Sequence, residues 1–258
     1  MSTARRIASL RLLLVASVAI LVGAPTAYGV PVATAVLSMQ FESDGNTASW
    51  STQWDITSDT ANWSLPAPLS IYSSTNPELL LATVNGLTLS YDTDPFVSLG
   101  FNVVSGGAPT NFSISSAVVP VAPTITNGLA FATAGVTVTE NPPFDGASMT
   151  GLFAGSKAYE ARYNGGGSIF ADLVSPVIVP PFGITGTGTE KFPPGVGTTV
   201  VIPGVVFNIE SQFNFTLSAN DQASGTSIFN IVPEPSSVVL AACGLAALVW
   251  HVARRRRK

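Results

Sequence analysis

Between Val30 and Val232 no stretch sustains an apolar period of 3.6 residues, and short runs of β-branched and aromatic residues recur instead, separated by Gly, Pro or Asn. That spacing constrains the fold more than any other feature, because a helix buries one face only at a period near 3.6, whereas a half-buried strand needs a period of two. Strands are predicted at 36–42, 79–84, 87–91, 96–104, 111–119, 129–132, 136–140, 148–153, 158–163, 168–173 and 225–232. Phe207, Ile209, Ser211, Phe213, Phe215 and Leu217 alternate along one long strand. Asp44-Gly45 reads as a turn after the first strand, and Asn85-Gly86 as the tight turn of a hairpin with arms 79–84 and 87–91. Gly106-Gly107-Ala108-Pro109 joins the strands at 96–104 and 111–119. Regular short strands with turn chemistry between them predict an all-β fold, an antiparallel sandwich or jelly roll. A single two-sheet domain of about 200 residues is the economical organisation. The Pro/Gly-rich stretch 176–203 reads as a long loop holding one or two strands rather than a domain linker, and no repeat of solenoid or propeller period stands out.

The two ends are of different character. Residues 1–29 read as a secretory signal peptide, with Arg5, Arg6 and Arg11 ahead of an apolar core at 12–22 and small residues at Ala27-Tyr28-Gly29. Cleavage is expected before Val30, with Ala33-Thr34-Ala35 as a second candidate and an uncleaved anchor as the alternative. At the other end, residues 236–253 form eighteen residues without Asp, Glu, Lys or Arg. As a helix this segment reaches about 27 Å, just short of a hydrocarbon core of about 30 Å. A single span must satisfy its own backbone hydrogen bonds in lipid, so a helix is expected. Arg254, Arg255, Arg256, Arg257 and Lys258 follow directly, which places the C-terminus in the cytoplasm and the acidic strands outside. A buried core helix, the alternative, would carry a polar stripe that this run lacks apart from Ser236, Ser237 and the terminal His251.

Pro233-Glu234-Pro235, one apolar span and an Arg-rich end, in that order, resemble the PEP-CTERM sorting signal. The resemblance covers residues 233–258 and implies recognition by an exosortase, a membrane-embedded, cysteine transpeptidase-like enzyme that cuts near the motif and passes its substrate to the cell surface or matrix. It carries destination and processing only, since such proteins resemble one another in the tail and differ in the exported part. The prolines keep the motif extended, as a peptide read at a membrane surface requires.

Charge narrows the partners. Between Val30 and Val232 only Lys157, Arg162 and Lys191 stand against fourteen acids, a formal −11. Such a domain has no electrostatic footprint for nucleic acid and is repelled by anionic lipid. Divalent cations or a neutral extracellular polysaccharide match it better. The one cysteine, Cys243, falls in the apolar span, so no disulfide staples the exported part, and the one histidine, His251, borders the basic tail. Without His or Cys the exported domain lacks the Ser-His-Asp and Cys-His systems and the usual zinc ligands. Asn164-Gly165-Gly166-Gly167 lacks the Lys and helix of a phosphate loop. No cofactor and no enzymatic activity are expected; a carboxylate-dependent glycosidase is the remote alternative, needing two acids about 5–10 Å apart in a cleft.

Two groups remain as binding candidates. Asp92 and Asp94 flank Thr93 before Pro95, where two carboxylates and loop carbonyls suit calcium, although a solvated turn has the same sequence. Asp55 and Asp59 form a weaker pair. Trp50, Trp54 and Trp63 lie in a Ser/Thr-rich stretch, and the even spacing of Trp50 and Trp54 puts both on one strand face. An open face would stack sugar rings; a core face has the same spacing. The functional expectation is an exported surface or matrix protein with a structural or adhesive role, with a module that binds exopolysaccharide as the alternative.

Overall fold

The computed structural model describes residues 33–56, 60–92, 95–116 and 118–232. The signal peptide expected at 1–29, the motif Pro233-Glu234-Pro235, the span 236–253 and the tail 254–258 lie outside the described residues. Among the described residues no helix is long and apolar enough to cross a membrane. The chain runs through β1 (Ala33–Ser43), β2 (Asn46–Ile56), β3 (Thr60–Ser64), β4 (Leu69–Tyr72), β5 (Leu80–Asp92) and β6 (Phe96–Ser105). It continues through β7 (Thr110–Ser115), β8 (Val119–Thr126), β9 (Leu129–Thr139), β10 (Ala147–Gly151), β11 (Tyr159–Tyr163) and β12 (Ser168–Leu173). Last come β13 (Val177–Val179), β14 (Thr185–Phe192), β15 (Val200–Val201), β16 (Val205–Leu217) and β17 (Gln222–Val232).

Antiparallel pairings join these strands, among the described residues, into two sheets. The first has the order β12-β11-β16-β7-β1-β2, with β10 and β8 also on β16 and β13 on β10. The second has the order β14-β9-β17-β6-β5-β3, with β15 on β9 and β4 on β5. The alternation expected of half-buried strands is clearest in β9, where every second residue is buried, from Ala130 to Val138.

Phenylalanines close the space between the sheets. Phe101 of β6 meets Phe213 edge-on at 4.8 Å and stacks on Phe215 at 5.3 Å, both from β16 on the facing sheet. Phe215 stacks on Phe112, which meets Phe41 edge-on, and Phe213 touches Tyr159 at 5.0 Å. Each such pair contributes about 0.5–1.5 kcal/mol beyond simple burial. The phenol of Tyr159 shares a hydrogen bond with Ser211 at 2.9 Å, and burial pushes its pKa up to about 12 against the opposing effect of that bond. Gly225 makes room for this cluster, since a Cβ there would come within 2.5 Å of the Phe101 ring.

The turn expected at Asp44-Gly45 forms: φ is 47° and 75°, and Ser43 pairs with Asn46, as a two-residue type I′ hairpin requires. Asn85-Gly86 does not turn. Neither residue takes positive φ, and β5 runs straight through them with a one-residue register shift between Val84 and Gly86. Asn85 is the extra residue of a β-bulge, and it lets Val84 and Leu87, three apart, both face the core. Pairing along the whole of β6 outweighs the local turn preference. Two further expectations shift in the same way. The runs at 129–132 and 136–140 fuse into β9 across Gly135, and the run at 111–119 divides at Ser116 into β7 and β8. Phe207 departs from its alternating series and is exposed, because the register of β16 against β8 slips between Val206 and Asn208. Within 176–203 three strands form, β13, β14 and β15.

Candidate functional site

The two outer faces and the open edge of the sandwich are the places where chemistry collects. At one edge, Trp50 of β2 and Trp63 of β3 lie with ring centroids 6.0 Å apart and planes tilted by 41°. Both are half-buried and packed against the core, so they close the gap where the chain leaves the first sheet for the second. Trp54 belongs to β2 opposite Ala35, and its side chain lies outside what is described. The opposite edge is closed by Phe170, which meets Phe192 edge-on at 5.3 Å and stacks on Phe229 at 5.2 Å. There Lys157 pairs with Glu190 at 2.7 Å. Burial would raise the Glu190 pKa, but hydrogen bonds from Lys157 and Ser175 outweigh it and hold the carboxyl down at about 2.

Asp92 ends β5, opposite Thr60 and Phe96, and is half-buried; Asp94 lies outside the described residues. Asp55 lies in β2 opposite Thr34, and Asp59 is outside. Among the described residues no group of three or more His, Cys, Asp or Glu is arranged to hold a metal ion.

The outer face of the first sheet is charged and bonded to itself. Gln212, Glu160 and Asp172 form one cross-strand row over β16, β11 and β12. The Glu160 side chain is only 4% exposed and pairs with the Arg162 guanidinium at 2.5 Å, which lies over the Phe153 ring. Burial raises the Glu160 pKa; Arg162 opposes the rise and neighbouring Asp172 adds to it. Glu210, opposite Arg162, is raised by burial too, Arg162 lowering it and Glu160 raising it further. Asp172 Oδ1 and Gln212 Oε1 are buried without partners. Farther along, Thr216 donates to Asn111 at 2.5 Å, Asn111 donates to Glu42, and Glu42 accepts the Gly45 N–H at 3.1 Å. Glu160 and Asp172 stand side by side on adjacent strands.

The outer face of the second sheet holds a shallow trough of about 580 Å³. One row across five strands reads Thr189, Gly135, Thr226, Gly100, Thr88. The next reads Thr187, Thr137, Ser224, Asn102, Gly86. Leu87, Phe101, Val136 and Gly225 contribute backbone from below, with the three larger side chains buried on the core side. No charged residue lines it. Thr88 and Thr189 lean over the glycines beside them: a Cβ would stand 2.5 Å from Thr88 Oγ1 at Gly100 and 3.1 Å from Thr189 Oγ1 at Gly135. Sequence reasoning passed over these residues. The run Thr185-Gly186-Thr187-Gly188-Thr189 was the one visible signal, five uncharged small residues ahead of Glu190 and Lys191.

Residues 232–257 match the PEP-CTERM protein-sorting motif. No curated protein matches the chain. Among solved structures, the enzymatically active domain of tailspike protein 4 from bacteriophage CBA120 overlaps 68% of this chain at 14% identity and a TM-score of 0.28. The chain spans only 20% of that domain. A carbohydrate-binding module of the β-sandwich superfamily overlaps 78% of this chain and 85% of its own length, at 7% identity and a TM-score of 0.18. The VP2 protein of infectious bursal disease virus overlaps 79% of this chain and 64% of its own, at 11% identity and a TM-score of 0.11. Overlaps of this size carry no argument about function.

Proposed function

We propose that this chain, which carries the PEP-CTERM protein-sorting motif at residues 232–257, is an exported protein displayed at the cell surface or in the extracellular matrix, with a structural or adhesive role and no catalytic one. Residues 1–29 direct export, 236–253 hold the chain in the membrane with 254–258 in the cytoplasm, and an exosortase-type enzyme processes it near Pro233-Glu234-Pro235. The sorting motif is the observation that carries this reading. The domain supports it by its layout: β17, the last described strand, runs to Val232, where the matched motif starts. Its charge of −11 keeps it off anionic membranes and in solution outside them.

Fractionation of cells carrying the intact gene, with protease added to whole cells, tests the reading. Digestion of the domain on intact cells is expected; a soluble cytoplasmic product with both ends uncut would overturn it. A carbohydrate-binding role is the second reading. It does not run through Trp50 and Trp63 as an open strip, since both pack on the core; the surface that favours it is the trough on the second sheet.

A further inference from the structure

The trough combines three properties. Its hydroxyls are unspent, because no side-chain hydrogen bond within the described residues engages Thr88, Thr137, Thr187, Thr189, Ser224 or Thr226. Its floor is lowered by Gly86, Gly100 and Gly135, each next to one of those polar side chains or to Asn102. Its Asn102 is oriented: Gln222 Nε2 donates to Asn102 Oδ1 at 2.9 Å, leaving Asn102 Nδ2 as a donor to whatever enters.

We propose that this trough binds a neutral polysaccharide chain laid across the strands, a ligand assignment that rests on the extracellular placement argued above. The lining has no charge, so an ionic polymer finds no counter-charge there, and the −11 domain repels polyanions at longer range. An apolar occupant would bury hydroxyls without partners, at about 1–3 kcal/mol for each. A peptide strand is no better served, because β-strand addition needs an open sheet edge and this is a sheet face. A sugar chain brings donors and acceptors at every unit, and each threonine or serine hydroxyl both donates and accepts. Five strands about 4.8 Å apart give a run of about 19 Å, and the two rows lie about 7 Å apart along the strands. The volume of about 580 Å³ falls within the range of ordinary ligand sites. Phe101 turns inward beneath the floor, so no aromatic ring offers a stacking platform in the trough. Affinity then comes from hydrogen bonds repeated along the polymer, and it grows with ligand length and with the density of copies on a surface.

The test uses the full chain in detergent, titrated calorimetrically with linear β-glucan, mannan and xylan oligosaccharides of increasing length and with alginate as the polyanion. Binding to at least one neutral series, tightening with length, is expected, with alginate inert. The triple variant Thr88→Val, Thr189→Val, Thr226→Val keeps shape and strand propensity, and is expected to weaken binding about tenfold or more with an unchanged unfolding midpoint. Gly100→Val, which raises the floor, is expected to weaken it as well, and Trp63→Phe at the β2/β3 edge to leave it unchanged. Failure of all three neutral series against folded protein, undiminished binding by the triple variant, or equal binding of alginate would each overturn the assignment. None of these results bears on the cell-surface protease test, so failure of the ligand assignment and failure of the surface reading are separately visible.

Discussion

The two outer faces of this sandwich differ in composition and in use: one carries carboxylates and an arginine, the other a trough of threonine, serine, asparagine and glycine. On the first sheet the polar side chains answer one another: Thr216 to Asn111 to Glu42, Gln212 to Ser113 at 3.1 Å, and Arg162 to a buried Glu160. On the second sheet, in the trough, hydroxyls stand unengaged over a glycine floor with no charged residue in the lining. A face that turns most of its hydrogen bonds on itself stiffens its sheet, although Asp172 Oδ1 and Gln212 Oε1 stay buried there without partners. A face that does not is held together by what lies beneath it, and its surface is available. On the binding proposed above, the self-bonded side chains and the unengaged hydroxyls lie on different sheets, over one shared core.

The largest effect should come from removing what both faces share. Phe101→Ala takes away the ring that joins β6 to Phe213 and Phe215, and is expected to cost about 3–5 kcal/mol in urea unfolding. A loss below about 1 kcal/mol would mean that the sheets are not joined there. Next, Arg162→Met strands the Glu160 carboxylate on the first face; with the arginine itself a quarter exposed, about 2–3 kcal/mol is expected, below the cost of breaking a fully buried pair. Asn111→Ala, which opens the chain from Thr216 to Glu42, is expected to cost about 1 kcal/mol by the same measurement.

Acid should distinguish, more gently, the first face from the closed edge that holds Glu190. Glu160 and Glu210 have raised pKa values, so the folded state takes up protons more readily than the unfolded one, and their effect favours folding as pH falls from neutral toward the ordinary glutamate value and is lost as pH rises through their folded values. Glu190 works the other way: its stabilisation is present above the ordinary value and is lost as pH falls through about 2. The urea midpoint is therefore expected to rise on mild acidification, and Glu210→Gln to flatten that rise; a midpoint that falls steadily from neutrality would contradict the burial of the first face. The smallest change is predicted in the trough. Thr226→Val should alter stability by less than about 0.5 kcal/mol, because its hydroxyl supports nothing in the fold.

Much of this arrangement was legible beforehand, and the misses share one cause. The all-β class, the Asp44-Gly45 hairpin and most of the long alternating strand at 207–217 could be read from period and turn chemistry, which are local. Asn85-Gly86 misled because its turn preference is weaker than ten residues of pairing with β6. The trough was invisible for a stronger reason. Its lining comes from β5, β6, β9, β14 and β17, from Gly86 to Thr226, and nothing in those five runs says that they will lie side by side. The tryptophans were read as a face open to either core or ligand, and only the approach of β2 to β3 turned Trp50 and Trp63 toward each other.

The order of charge along the chain, the lack of His and Cys between Val30 and Val232, the strand period and the C-terminal motif are properties of the sequence alone, because each is carried by neighbouring residues. Which polar side chains would satisfy one another and which would be left facing outward was settled by strand order and register, because hydrogen bonding depends on distance in space and the partners are up to 120 residues apart in the chain.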